Sequence, residues 1–242
     1  MARTGNIIFV LGCFILRSGE ILFVLLLLLL IPFCVYVLVD AQIVVNSADL
    51  PEEISILAPK EKNGVDFSAL RAINEDIVGW ISIDDTGINY PVLQGENNEY
   101  YLARDYTRQW ATSGSIFIDY RNEVDLSDVF SIIYGHRMGY GKMFSDIALF
   151  QNGNYFASHT IGNYYIGDEK YTLRVVSFAL VSATEQKIYD VSHSKDDMST
   201  VQFVYDRSKW RNGVLPEGRF VLLSTCDASD RSMRDVLLMH VE

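Results

Sequence analysis

Cysteine is scarce: the 242 residues contain three, Cys13, Cys34 and Cys226. The first two fall in a strongly apolar N-terminal region, so Cys226 is the only thiol in the remainder and an intramolecular disulfide there is excluded. Histidine is also sparse, with four residues not closely spaced, so one cysteine cannot complete a zinc ligand set, and neither a metal nor another cofactor is expected. Positive charge is in short supply. Twenty Lys and Arg stand against 31 Asp and Glu, a net charge of −11, which argues against a nucleic-acid partner and is explained by solubility. Internal repeats and low-complexity tracts are missing too, which excludes a repeat array.

What is present begins with Ile21 to Val39, "ILFVLLLLLLIPFCVYVLV", 19 residues without a charge. At about 1.5 Å per residue this run crosses a hydrocarbon core of roughly 30 Å with little tilt. Pro32 inside it is tolerable in a membrane helix. Arg3 and Arg17 precede the run while Asp40, Asp49, Glu52 and Glu53 follow it, so the positive-inside rule puts the N-terminus in the cytoplasm and the rest outside. A cleaved signal peptide is the competing reading, since "VDA" at Val39 to Ala41 loosely resembles a cleavage site, but the run is longer than a signal core. Ile7 to Leu16 is a second apolar stretch, too short to span by itself. Residues 1–40 are therefore expected to be a cytoplasmic N-terminus and single membrane anchor. Residues 41–64, polar and carrying Pro51 and Pro59, are expected to be an extracellular linker, and residues 65–242 the folded domain.

With 49% hydrophobic residues that domain can bury one substantial core. Asp66 can cap a short helix in which Phe67, Leu70 and Ile73 recur at every third position. Strand patterns then dominate: "GWISIDDTGINYPVL" around a turn at Asp84 to Gly87, "GSIFIDY", "DVFSIIYGH", "KYTLRVVSFALVSA", "RFVLLSTC" and "RDVLLMHV". Helical patches are expected in "NNEYYLARDY", "MFSDIALFQN" and "DDMSTVQFVYDRSKW", the last with Asp196 or Asp197 as cap. Six or more strands with few short helices imply a mainly β fold with peripheral helices, a barrel or sandwich.

Two of the strand patterns end in reactive side chains, His136 and Cys226, and a third opens beside Arg234. Strand ends hold side chains rigidly yet expose them. A thiolate nucleophile, an imidazole that moves protons and a guanidinium that stabilises an oxyanion together suit acyl transfer. Taken one at a time, His136 reads rather as a structural histidine and Arg234 as a surface ion pair, and Cys226 as a buried thiol or a reactive one. His159, His193 and His240 read as structural or solvated.

"YGHRM" followed by "GKMF", "LSTC" at a strand end, and an arginine eight residues beyond the cysteine resemble the sortases of Gram-positive bacteria. "INEDIVGWISIDDTGINYPVLQGENNEYYLARDY" and "GSIFIDYRN" are similar to class B members, and the resemblance covers about residues 66–241. It implies an eight-stranded sortase-type β-barrel behind the N-terminal transmembrane helix, with residues 65–242 as catalytic domain. It also implies Cys226 as nucleophile, His136 as general acid/base working by reverse protonation, and Arg234 as oxyanion or orienting group. Asn98, Leu102, Ser224 and Asp227 match positions that line the class B substrate cleft. The segment from Thr184 to Gly213 corresponds to the long connection that helps to form the groove. The implied activity is cleavage of a C-terminal sorting signal after Thr, through a thioacyl enzyme, and transfer of the surface protein to an amine. That amine is a peptidoglycan precursor, a cross-bridge or a pilin lysine. The family's usual TLxTC reads "LLSTC" here, Arg137 stands after the histidine where Asn is common, and Arg231 is a second arginine near the cysteine strand. A cysteine peptidase using water and a non-catalytic surface module are the alternatives.

Overall fold

The computed structural model describes residues 2–59, 64–193, 196–227, 230 and 232–242, with backbone alone over 2–19 and at 193. It divides into two units, the chain up to Val44 and a folded domain from Val45 to Glu242.

The first unit is helical. Helix α1 runs Ala2–Asn46 and includes Pro32, so the short apolar stretch at residues 7–16 is the beginning of the same helix rather than a separate element. Its part Glu20–Asn46 is 27 residues long and apolar enough to cross a membrane. The leucine, valine and phenylalanine side chains between residues 21 and 39 are exposed, as a lipid-facing surface would be.

Among the described residues of the second unit the short helices α2 (Glu52–Ser55) and α3 (Phe67–Ile73) precede nine strands, with α4 (Gly153–Ser158), α5 (Gln186–Tyr189) and α6 (Ser199–Asp206) between them. The strands are β1 Ile77–Ile83, β2 Asn89–Leu93, β3 Ile116–Ile118, β4 Phe130–Tyr134, β5 Ile161–Ile166, β6 Glu169–Ser182, β7 Trp210–Arg211, β8 Arg219–Cys226 and β9 Met233–Val241. Eight of them close on themselves in the order β5-β1-β2-β3-β4-β8-β9-β6, with β6 pairing back to β5, while β7 adds only two residues to β6. The fold is thus an eight-stranded closed β-barrel with peripheral helices. Neighbours are antiparallel except β2–β3 and β4–β8.

The strands at the cleft are buried on both faces, and period-two alternation assigns each face to a different core. Val221 and Leu223 of β8, Leu237 and Met239 of β9, and Ile133 of β4 belong to the core inside the barrel. Phe220 and Leu222, Val236 and Leu238, and Phe130 and Ile132 face outward beneath Ile188, Val191, Val201 and Val204 of the long connection. Burying a side chain such as Phe130 or Phe220 contributes about 1.5–3 kcal/mol. The connection is therefore fixed to the barrel rather than draped over it.

Local expectations hold at α3, where the Asp66 carboxylate accepts from the Ala69 amide at 3.0 Å. At α6 Asp197 accepts from the Ser199 amide at 2.8 Å, with Met198 in the cap position. "NNEYYLARDY" and "MFSDIALFQN" form 3₁₀ turns, Tyr100–Leu102 and Ser145–Gln151, instead of α-helices. The expected linker is partly folded: Ala48 and Ile54 are buried, Ile54 among Leu70, Trp80 and Phe117. Its residues 60–63 lie outside the described residues.

Candidate active site

Pairing of β4 with β8 is parallel, Tyr134 opposite Ser224, so both chains leave the sheet at the same end. Two residues further on are His136 and Cys226. On β9, Arg234 is the register partner of Cys226. Alternation then decides the face. Phe130, Ile132, Phe220, Leu222, Val236 and Leu238 point outward, so Tyr134, Ser224, Cys226 and Arg234 follow on that side and His136 continues the progression. Tyr134, His136, Ser224, Cys226 and Arg234 line one cleft of about 420 Å³, together with Asn98, Leu102, Phe117, Gly135, Ala183, Tyr189 and Thr225. Cys226 is half-buried and reaches the cleft.

Two glycines permit close approaches beside the cleft. A Cβ on Gly135 would lie 2.4 Å from Ile116 Cδ1 and 2.7 Å from the Phe144 ring. Gly114, at φ +56°, would place one 2.6 Å from the Leu102 carbonyl oxygen and 3.0 Å from the His136 ring. That carbonyl is 2.7 Å from His136 Nε2. A carbonyl only accepts, so Nε2 carries a hydrogen and Nδ1 is the nitrogen left to exchange protons. Arg234 Nη1 donates to the Met233 carbonyl at 3.0 Å. Tyr189 and Ser224 hydroxyls are 3.1 Å apart, and the Tyr189 ring stacks on Tyr134 at 6.3 Å. Burial pushes the Tyr189 phenol up, with the Ser224 bond and the Arg234 charge pulling the other way and the Cys226 sulfur adding to the rise.

Beneath Tyr134 lies Asp119, fully buried. It accepts from Arg121 Nε and Nη2 at 2.8 Å each, the Arg121 amide at 3.1 Å, Asn98 Nδ2 at 2.7 Å and the Tyr134 hydroxyl at 3.0 Å. Burial alone would raise the Asp119 pKa, but the Arg121 bonds and charge together with Asn98 outweigh it and hold the carboxyl below its usual range. Burial, reinforced by Asp119, holds the Tyr134 phenol far above its ordinary value. Asn98 is thus committed at both ends, since its Oδ1 also accepts from the Tyr120 amide at 3.1 Å.

The residues expected from the sequence divide accordingly. Cys226, His136, Arg234, Ser224, Asn98 and Leu102 converge on the cleft; Asp227 does not. One residue beyond Cys226, it faces the other way, buried, with Oδ2 accepting from Gln151 Nε2 at 3.0 Å and Oδ1 from the Asp230 amide at 2.9 Å. Arg231 lies outside the described residues. His159 stacks on Tyr155 at 3.7 Å and His240 Nε2 meets the Glu217 carbonyl at 3.1 Å, both away from the cleft; the side chain of His193 is outside the described residues. Tyr134 and Tyr189 were not anticipated. Tyr134 is legible in "SIIYGH", because it shares a face with a histidine two residues on, whereas nothing local marks Tyr189.

Residues 81–240 match the family model described as the sortase domain. Sortase B of Listeria monocytogenes is 36% identical over 163 residues, 65% of each chain. Sortase B of Staphylococcus aureus is 33% identical over 196 residues, 78% of this chain and 79% of its own. The solved complex of Staphylococcus aureus sortase B with substrate superposes with a TM-score of 0.65 at 32% identity, covering 73% of this chain and 84% of that one.

Proposed function

The chain belongs to the sortase family, of class B type, whose members are cysteine transpeptidases, and from that premise we propose that Cys226, His136 and Arg234 carry the reaction on sorting-signal peptides. What supports the assignment most is their convergence, from β8, β9 and the loop after β4, on one open cleft.

An ordinary thiol is only a few per cent ionised at neutral pH, so a nearby imidazole that takes its proton makes the nucleophile available. The Cys226 thiolate attacks the carbonyl carbon of a Thr in the sorting signal. The tetrahedral oxyanion collapses, the C–N bond breaks, and the departing amine takes a proton from His136. A thioester to Sγ remains. An incoming amine attacks it, gives a proton to His136 and releases Cys226 as thiolate. With Nε2–H bound to the Leu102 carbonyl, His136 Nδ1 is the atom that gives and receives. Arg234 donates to the oxyanion, a contribution of about 2.7–4 kcal/mol if it matches other donors of this kind. Leu102, Tyr134, Phe117 and Tyr189 supply an apolar wall for the peptide, and Ser224 a hydroxyl.

The N-terminal helix is assigned as an uncleaved anchor with the N-terminus inside, supported by its length and by Arg3 and Arg17 on one side and four acidic residues on the other. The catalytic domain then stands outside, where surface proteins and amine acceptors of the cell wall, or pilin lysines, are reached. Incubating the purified chain with Thr-containing sorting peptides, with and without an added amine, tests the reading. The expected result is a thioacyl adduct on Cys226 by mass spectrometry and an amine-linked product. Cleavage that survives Cys226→Ala rejects the nucleophile, and hydrolysis that ignores the amine makes the enzyme a peptidase.

A further inference from the structure

Each of the three reactive residues has an immediate successor, Arg137, Asp227 and Asp235, whose side chain falls on the opposite face of the barrel wall. Those successors meet. Arg137 Nη1 donates to Asp235 Oδ2 at 3.2 Å, and Gln151 Nε2 bridges Asp235 Oδ1 at 2.9 Å and Asp227 Oδ2 at 3.0 Å. Asp235 is fully buried, Asp227 nearly so, and the Arg137 side chain is 30% exposed. We propose that Arg137, Gln151, Asp227 and Asp235 form one positioning cluster that fixes His136, Cys226 and Arg234 relative to one another from behind the cleft.

The need for it is local. His136 lies beyond the last paired residue of β4, in a loop where Tyr140 and Met143 take φ of 60° and 55°. Cys226 ends β8, and β9 starts at Met233. Ladder pairing therefore joins Cys226 and Arg234 directly, whereas the His136 backbone is held within its own loop, where its carbonyl accepts from the Phe144 amide at 3.0 Å and Arg137 bridges Met143. The Arg137–Asp235 pair ties the histidine's neighbour directly to the arginine's. Gln151 adds the cysteine's neighbour, and is itself pinned because its carbonyl accepts from Trp210 Nε1 at 3.0 Å and Lys209 Nζ at 3.1 Å. A single amide with two N–H groups is the side chain that can join two carboxylates without adding charge. The cluster touches no substrate; it acts through the residues beside it.

The proposal rests on the assignment of the three reactive residues, and its test separates the two. In the full chain, Asp235→Asn keeps shape and removes charge, Arg137→Met removes the cation, and Arg137→Lys restores it. A displacement near 1 Å costs about a hundredfold in rate, so Asp235→Asn and Arg137→Met are expected to lower kcat by about tenfold to a hundredfold, with KM within about twofold. Arg137→Lys is expected to recover most of the loss. The double variant is expected to fall no further than the worse single one, as members of one unit do. The pH profile of Cys226 alkylation, read by mass spectrometry of its peptide and needing no sorting substrate, is expected to move toward that of His136→Ala. Variants with unchanged kcat and a lower melting temperature would reduce the cluster to a structural role. A rise in KM alone, or additive losses in the double variant, would also overturn it. If the parent chain processes no sorting peptide while the alkylation profile still shifts, the assigned reaction fails and the cluster stands.

Discussion

Asp119 and Asp235 are both fully buried and each adjoins the cleft through a neighbour, yet their carboxyls respond in opposite directions. Among the described residues Asp119 receives five hydrogen bonds, three of them from Arg121. Asp235 receives one from Gln151 and one, at 3.2 Å, from Arg137, and Asp227 stands near it with like charge. Burial pushes Asp235 up and its two donors do not compensate, whereas Arg121 and Asn98 reverse the same penalty at Asp119. Burial does not decide the cost of a carboxylate; the number and charge of its donors do. The wall under Tyr134 is thereby built for stability, and the wall behind Arg234 retains a carboxylate that the fold holds at a cost, as expected of groups kept for positioning.

The most severe way to break this contrast is Arg121→Met, which strands Asp119 without its cation. A loss of about 3–5 kcal/mol is expected in denaturant titration, and a loss below about 1 kcal/mol would show that Arg121 is not what holds the carboxylate. Next come the two asparagine substitutions measured side by side. Asp119→Asn removes a charge-assisted pair and is expected to cost about 2 kcal/mol, whereas Asp235→Asn relieves a poorly compensated charge and is expected to stay within about 1 kcal/mol of the parent or to stabilise. Equal costs at the two sites would erase the distinction.

Acid titration gives the smallest effect and the sharpest sign. The lowered Asp119 contributes stability that is full above the unfolded carboxylate range, about pH 4, and is lost as pH falls through its folded value. The raised Asp235 does the reverse: its cost is full above its folded value and is relieved as pH falls toward the unfolded one. Relative to Asp119→Asn the parent should therefore lose its advantage on acidification, and relative to Asp235→Asn it should gain. Two slopes of the same sign would contradict the opposed shifts.

Much of the barrel is legible in the sequence because its strands are apolar runs with turn residues between them, and Asp66 marks α3 in the same way. Strand β5 lies outside the strand patterns read from the sequence although "IGDEK" carries the signal: Gly167, at φ 54°, with Asp168 forms a two-residue hairpin turn between Ile166 and Glu169. "NNEYYL" and "SDIALFQ" offer apolar spacing that a 3₁₀ turn satisfies as well as an α-helix, so spacing alone could not separate them. Cys226, His136 and Arg234 can be proposed from the sequence because strand ends and the family resemblance point to the same residues. Asp227 was misplaced because its position beside Cys226 says nothing of which face it takes until β8 is assigned to inner and outer cores. Gln151 and Asp235 are invisible for a stronger reason, since their partners belong to segments that only the barrel brings together.

Strand β8 lies between β4 and β9, and its parallel neighbour β4 was laid down long before it. A chain arriving from its N-terminus can form the β1–β2 hairpin early, but the barrel wall stays open until residues near 226 arrive to fill it. Such distant pairing makes for slow folding. Cys226 and His136 are thus brought to one cleft only as closure occurs, so on the proposed assignment an unfinished chain carries an inert thiol, and competence begins with the completed fold.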